Sequence, residues 1–410
     1  MPWFILAVSH RFEVAALAFG CLLILGALLS GLARRTFVSL TAVFVIAGFI
    51  LGDGVTGIVH LDPRSPFVSE LATVALIVIL FRDGLEVDGE LLQSHWHLPL
   101  RKLVLAMPLT AVIIAGGTRL LTGLSWTESF LVGALLSPTD PVLSSTVVTN
   151  PRVPAVVRHS LNLESGLNDG LALPAVLALS AALVVGGGHF VWWRFVIENL
   201  VIGFVVGVVL GFAAAWLAPR DAGLKDGIPA HQRSLFALGT AFATYGVAVL
   251  TPHGNGLIAV YVAAIVLGVR RPDVRGYFER QAADIVELVK LGIFVVFGSL
   301  LTLHGLFGSG WAAVGVVIIT LLVARPIAVF AALAGTRTDV ATRAFMSWFG
   351  PKGVATMTFS LLVLSQPIGA NSTIFNLAAL TVFCSILAHG ATDTAGAEWL
   401  ARRAESAGDG

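Results

Sequence analysis

Charge is what this chain has least of. Only 12% of its 410 residues are Asp, Glu, Lys or Arg, whereas a soluble domain carries about 25%, and that shortage excludes an ordinary soluble fold. Cysteine is nearly absent as well. The two present, Cys21 and Cys384, lie in apolar runs far apart in sequence, which excludes a disulfide framework or thiolate metal site and reads as packing. Formal net charge is +1 with no long basic tract, so nothing suits nucleic acid. No cofactor is expected. There is no GxGD string, and the nearest, LGDG at 51–54, has the wrong spacing for an intramembrane aspartyl protease. The segment before the first apolar run (His10, Arg11, Glu13) is weakly charged and two arginines follow the run, unlike a cleavable signal peptide. After Thr392 only a short polar tail remains, so no cytosolic regulatory domain is expected.

What is there is apolar sequence. Hydrophobic residues make up 57% of the chain and the mean hydropathy is +0.90. Apolar runs of about 20 residues recur, each long enough for a hydrocarbon core of roughly 30 Å. Backbone groups in lipid must be satisfied internally, so these runs are helices and the fold is an all-α polytopic membrane protein. Thirteen spans are predicted, at 14–33, 36–52, 67–85, 100–121, 126–149, 162–186, 194–217, 234–250, 256–270, 284–304, 311–334, 342–366 and 372–391. Of the 25 Lys and Arg, seventeen, Arg101 and Lys102 among them, fall in loops after odd-numbered spans. Only Arg11, Arg64, Arg119 and Arg194 fall on the other side, while Arg82, Lys290, Arg325 and Lys352 lie inside spans. Loop cations stay in the cytoplasm, which puts the N-terminus outside and the C-terminus inside a plasma (inner) membrane.

Two spans break their own helices. The fifth holds Pro138, Asp140 and Pro141 near its middle, and the twelfth holds Gly350, Pro351, Lys352 and Gly353. Each cluster removes helix hydrogen bonds and adds a charge, which survives at membrane depth only in buried or wet surroundings. The two spans are seven apart and so run in opposite senses. A pair of interrupted helices in opposite senses, near 137–141 and 350–353, points to an inverted-repeat transporter with its site between them.

Other intramembrane charges are costly and therefore informative. In NLESGLNDG, helical spacing pairs Glu164 with Asn168 and Ser165 with Asp169 on adjacent stripes. Arg325, well inside the eleventh span, requires a buried carboxylate, for which Glu164 is the candidate. Asp83 ends the third span beside Arg82, close enough to the interface for Arg82 to pair with a loop acid. Asp284, Glu287 and Lys290 share a face of the tenth span and read as a structural ion-pair strip or an interface end. Gly203, Gly207 and Gly211 recur every four residues in the seventh, a stripe for close helix approach. The histidines, His389 among them, lie near span ends where a wet imidazole is common.

The strings LFRDGLEVD, SPTDPV, LESGLNDG, LLVARP and WFGPKG, in this order, resemble the motif series of the monovalent cation:proton antiporter superfamily, in its NhaP and eukaryotic sodium/proton exchanger branch. That resemblance implies thirteen helices, a homodimer, and a mobile core bearing the two crossed interrupted helices. The core is expected at about 67–186 and 284–391, the remaining helices forming scaffold and dimer contact, within one transmembrane unit of 1–410. The resemblance further implies that Asp169 carries the ion and the proton. Asn168 before it is similar to the neutral partner in electroneutral members. Thr139 and Asp140 would belong to the first break, Ser165 and Asp83 would complete the shell around Na+ or K+, and Glu164 with Arg325 would form a structural ion pair. Many relatives carry Arg where this chain has Lys352, which lacks the guanidinium fork.

The chemistry also stands without the family. Sodium is a hard cation that seeks oxygen, which carboxylates, the Ser165 hydroxyl and carbonyls near Thr139 supply. The same oxygens bind protons, so competition at one carboxylate under alternating access gives one-for-one exchange of H+ for Na+, K+ or Li+. A proton- or sodium-coupled symporter of a small solute is the alternative. A channel would conduct without a proton gradient.

Overall fold

The computed structural model describes residues 13, 16–28, 40–87, 97–140, 150, 152–186, 190–218, 230–336 and 338–408, with their side chains except at 165, 230, 231, 281 and 404–408. Among the described residues the structure is helical, with no strand. The helices are α1 (Ala16–Leu28), α2 (Leu40–Leu51), α3 (Pro66–Glu86), α4 (His97–Thr122), α5 (Trp126–Leu136), α6 (Ala155–Val185), α7 (Trp192–Leu217) and α8 (Ala230–Leu250). They continue as α9 (Gly256–Arg270), α10 (Pro272–Gln281), α11 (Ala283–Ser299), α12 (Leu303–Phe307), α13 (Trp311–Ala332), α14 (Val340–Trp348), α15 (Val354–Leu364) and α16 (Asn371–Gly408).

Local chemistry starts these helices where it should. Pro66 opens α3, where its missing N–H costs nothing. Ser125 and Glu128 form a reciprocal capping box at α5. Asn255 and Asp339 accept from the backbone at the starts of α9 and α14. Asp339 is exposed, and its hydrogen bonds from Thr342 hold its carboxyl below the usual range.

Small residues set the packing. Gly203, Gly207 and Gly211 let α7 lie against α9, where a Cβ at Gly207 would sit 2.6 Å from the Ala259 carbonyl. The stripe is thus a packing surface, as the sequence suggests. Gly84 and Gly268 let α9 approach α3 on its other side, since their Cβ positions face backbone of Tyr261 and Leu85. Asp83 is carried by that tightly packed α3.

Among the described residues, six helices are long and apolar enough to cross a membrane by length and composition: those at His97–Thr122, Ala155–Val185, Trp192–Leu217, Gln232–Leu250, Trp311–Ala332 and Asn371–Arg403. Five more are apolar but only 10–17 residues long. Two of these short helices, α5 and α15, are halves of interrupted spans. The tenth span's ion-pair strip reduces to Lys290 on Glu287 at 2.6 Å, with Glu287 about half exposed, as at an interface end. Wide π turns occur at Lys102–Ala106 in α4 and Ile319–Ala324 in α13. Such turns often mark functional positions.

Candidate ion-binding site

Both breaks exist in the structure. Helix α5 stops at Leu136, just before Pro138, and residues 138–140 are non-helical; Pro141, also assigned to this break, lies outside the described residues. Between α14 and α15 the chain is non-helical from Phe349 to Gly353. The two breaks hold each other. Asp140 N–H donates to the Pro351 carbonyl at 2.8 Å, and Val354 N–H donates to Asp140 Oδ2 at 3.2 Å. Lys352 Nζ, 1% exposed as a residue, donates to the carbonyls of Ser137 at 3.4 Å and Pro138 at 3.1 Å. A helix end carries a partial charge on its unpaired groups, positive at the start and negative at the finish. Asp140 therefore sits on the positive start of α15, and Lys352 on the negative finish of α5.

The close approach explains Gly353. A Cβ there would meet the Asp140 side chain, and one at Gly350 would meet the Arg325 guanidinium. Gly353→Ala is expected to push Asp140 off the α15 start and to lower transport roughly tenfold, about 1.4 kcal/mol of lost complementarity. Initial rates in reconstituted vesicles check this, and a rate within twofold of wild type would show that Asp140 has room to move.

Helix α6 lays its polar stripe against this crossing. Asn168 Nδ2 donates to the Thr139 carbonyl at 2.8 Å and to Thr139 Oγ1 at 2.9 Å. Asp169, 6% exposed, lies within electrostatic reach of Asp83 and Asp140. Its Oδ1 and the Asn168 Oδ1 are buried without a hydrogen-bond partner. Buried acceptors left so are costly and are the atoms a cation or proton would satisfy. Tyr261 of α9 donates to the Gly166 carbonyl at 3.0 Å one turn below Asp169. The structure thus brings Asp83, Thr139, Asp140, Asn168 and Asp169 together, while the Ser165 side chain lies outside the described residues. Asp83 is buried, 3% exposed, and among the described residues Arg82 meets Asp83 itself, with a longer contact to Glu86 on the same helix; the loop acids that follow α3 lie outside the described residues.

Below the crossing lies a second buried cluster. Glu164 Oε1 accepts from Arg325 Nη1 at 3.0 Å, the pairing expected from sequence. Glu164 Oε2 accepts from Lys102 Nζ at 2.7 Å. The loop assignment of Lys102 is therefore corrected: it is 0% exposed and contributes nothing to a cytoplasmic charge count. Lys102 opens the π turn of α4 and Arg325 follows the π turn of α13, so both cations reach one carboxylate from widened turns. His389 departs from the wet-imidazole reading. It is 3% exposed, with Nδ1 2.7 Å from the Ser385 carbonyl and Nε2 2.8 Å from the Trp348 carbonyl. It thereby ties α16 to the edge of the second break.

The profile of the family described as "Sodium/hydrogen exchanger, transmembrane" matches residues 22–395. The chain belongs to the sodium/hydrogen exchanger family. Members of this family are transporters, not enzymes. Among curated relatives, the K(+)/H(+) antiporter NhaP of Alkalimonas amylolytica is 24% identical over 95% of this chain and 67% of its own length. The K(+)/H(+) antiporter NhaP2 of Shewanella oneidensis is 24% identical over 90% of this chain and 64% of its own. The chain thus spans about two thirds of the length of these relatives. Its fold is that of the sodium proton antiporter MjNhaP1 from Methanocaldococcus jannaschii, with a TM-score of 0.81 at 20% identity, covering 95% of this chain and 99% of that one.

Proposed function

We propose that this exchanger is an electroneutral antiporter of a monovalent cation, Na+ or K+, against H+, in which the two compete for Asp169. The observation that carries the reading is the buried Asp169 carboxylate with an unsatisfied oxygen, set near Asp83 and beside the helix break at Thr139. Thr139, Asp83 and Ser165 supply the other oxygens around the cation. Asn168 holds the first break to α6, and Asp140 and Lys352 hold the two breaks together.

The working unit is a homodimer in a lipid bilayer, with the core at about 67–186 and 284–391 moving against the remaining helices. The N-terminus faces outward and the C-terminus the cytoplasm of a plasma-membrane protein. The Gly84 and Gly268 contact between α3 and α9 supports a close seam where that movement would be resisted.

The direct test is reconstitution in vesicles with an imposed pH gradient, adding Na+, K+ and Li+ in turn. Dissipation with at least one of them is expected. Dissipation that needs an added organic solute would instead favour the symporter.

Charge counting gives the stoichiometry. Asn168 is neutral, so at each crossing Asp169 is the carboxylate of the pair that takes up the charge. Either one cation or one proton then adds the same charge. Moving a net elementary charge across the membrane is worth about 2.3 kcal/mol per 100 mV. Initial exchange rates are expected to be unchanged by potassium/valinomycin clamps. A current on solid-supported membranes that outlasts the binding transient would overturn one-for-one exchange.

A further inference from the structure

Arg82 has no part in the mechanism above, yet it lies on the cation shell. Its Nε and Nη2 both donate to Asp83 Oδ1, at 2.8 Å and 2.5 Å. The Arg82 side chain is 20% exposed. One turn further along α3, Glu86 Oε1 stands 3.6 Å from Arg82 Nε, and the Glu86 side chain is 45% exposed. A single guanidinium therefore hangs between a buried carboxylate in the ion site and a second carboxylate at the wet end of the same helix.

A guanidinium on Asp83 Oδ1 uses the lone pairs a metal cation would use. It also sets a positive charge a few ångströms from where that cation must sit, where partial burial leaves the repulsion weakly screened. We propose that Arg82 is a tethered competitor for the Asp83 carboxylate, holding it while the site is empty and releasing it towards Glu86 when Na+ or K+ binds. The inference rests on the reading of Asp83 as a cation ligand. In this role Arg82 sets affinity: it keeps Asp83 compensated between turnovers and makes each cation displace an internal one. Glu86 lowers the cost of displacement by receiving the fork. Arg82 is a positioning residue whose removal strengthens ion binding, the opposite of what loss of a ligand or of a structural ion pair produces.

The test uses the full chain. Arg82→Gln, Arg82→Lys and Glu86→Gln are purified beside wild type. Half-saturation for Na+ and K+ is read from initial exchange rates in vesicles and, independently, from cation-induced thermal stabilisation in detergent. Arg82→Gln is expected to lower half-saturation about tenfold in both readouts, whatever it does to the cation-free melting temperature. Arg82→Lys, which keeps the charge but not the fork, should fall between Arg82→Gln and wild type. Glu86→Gln should raise half-saturation about threefold, since displaced Arg82 loses its resting place. Equal or weaker cation binding by Arg82→Gln in both readouts overturns the proposal. Should Arg82→Gln fail to fold, unchanged half-saturation in Glu86→Gln overturns it instead. Wild type that neither exchanges nor saturates with any of the cations would refute the antiport reading itself, a result distinct from either variant outcome.

Discussion

Asp169→Asn should abolish cation-driven proton movement, to below about a tenth of the wild-type rate, the residue of losing more than roughly 1.4 kcal/mol of transition-state stabilisation. The substitution is nearly isosteric and keeps a polar group beside Asp83, so yield and monodispersity should be preserved. What it removes is the charge that alternates between partners. An amide accepts neither a proton nor the full field of a cation at pH 7, so both half-reactions stop together. Vesicle dissipation assays and cation-induced thermal shift report the two halves separately, and both should fail. Residual exchange above that tenth would move the carrier role to Asp140, the neighbouring carboxylate on the first break.

Glu164→Gln should be the most destabilising single change in the second cluster. Among the described residues Glu164 is the carboxylate that meets both Lys102 and Arg325, so its neutralisation leaves two buried cations facing each other. Breaking a buried pair typically costs about 3–5 kcal/mol, and here the cost should lie at or beyond the upper end. Arg325→Gln should cost less than Glu164→Gln, because Lys102 stays on the carboxylate at 2.7 Å. The double variant Glu164→Gln with Arg325→Gln should recover only part of the loss, since Lys102 remains charged and alone. Adding Lys102→Met should recover more. Melting temperatures in one detergent test the order, and strict additivity of the three changes would mean the groups do not interact.

The sequence exposed the features that are costly in lipid. Two proline clusters with charges inside apolar runs announced the breaks, and an isolated Arg325 demanded the Glu164 partner it has. What escaped were charges near span edges, where water is the default explanation. Lys102 follows Arg101 at the start of a span and reads as a second loop cation until the π turn draws it inward. His389 reads as an interface residue for the same reason, although α16 continues well past it. Arg82 and Asp83 are adjacent in sequence, and helical spacing gives no hint that their side chains meet. The number of crossings is hard to count from length, because α5, α9 and α15 are short, two of them halves of broken helices.

The crossing of the breaks has a consequence for how this chain can change over generations. In an ordinary ion pair the two signs can be exchanged, because each residue answers only to the other. Here Asp140 answers to the start of α15 and Lys352 to the finish of α5. The polarity of those ends is fixed by the direction in which each segment is synthesised and threaded. A reversed pair would set an acid against carbonyls and a base against N–H groups, so the signs at 140 and 352 are tied to topology rather than to each other. Drift towards a reversed pair is closed even where both substitutions arrive together. The identity of the transported ion is then left to vary at other positions around Asp169.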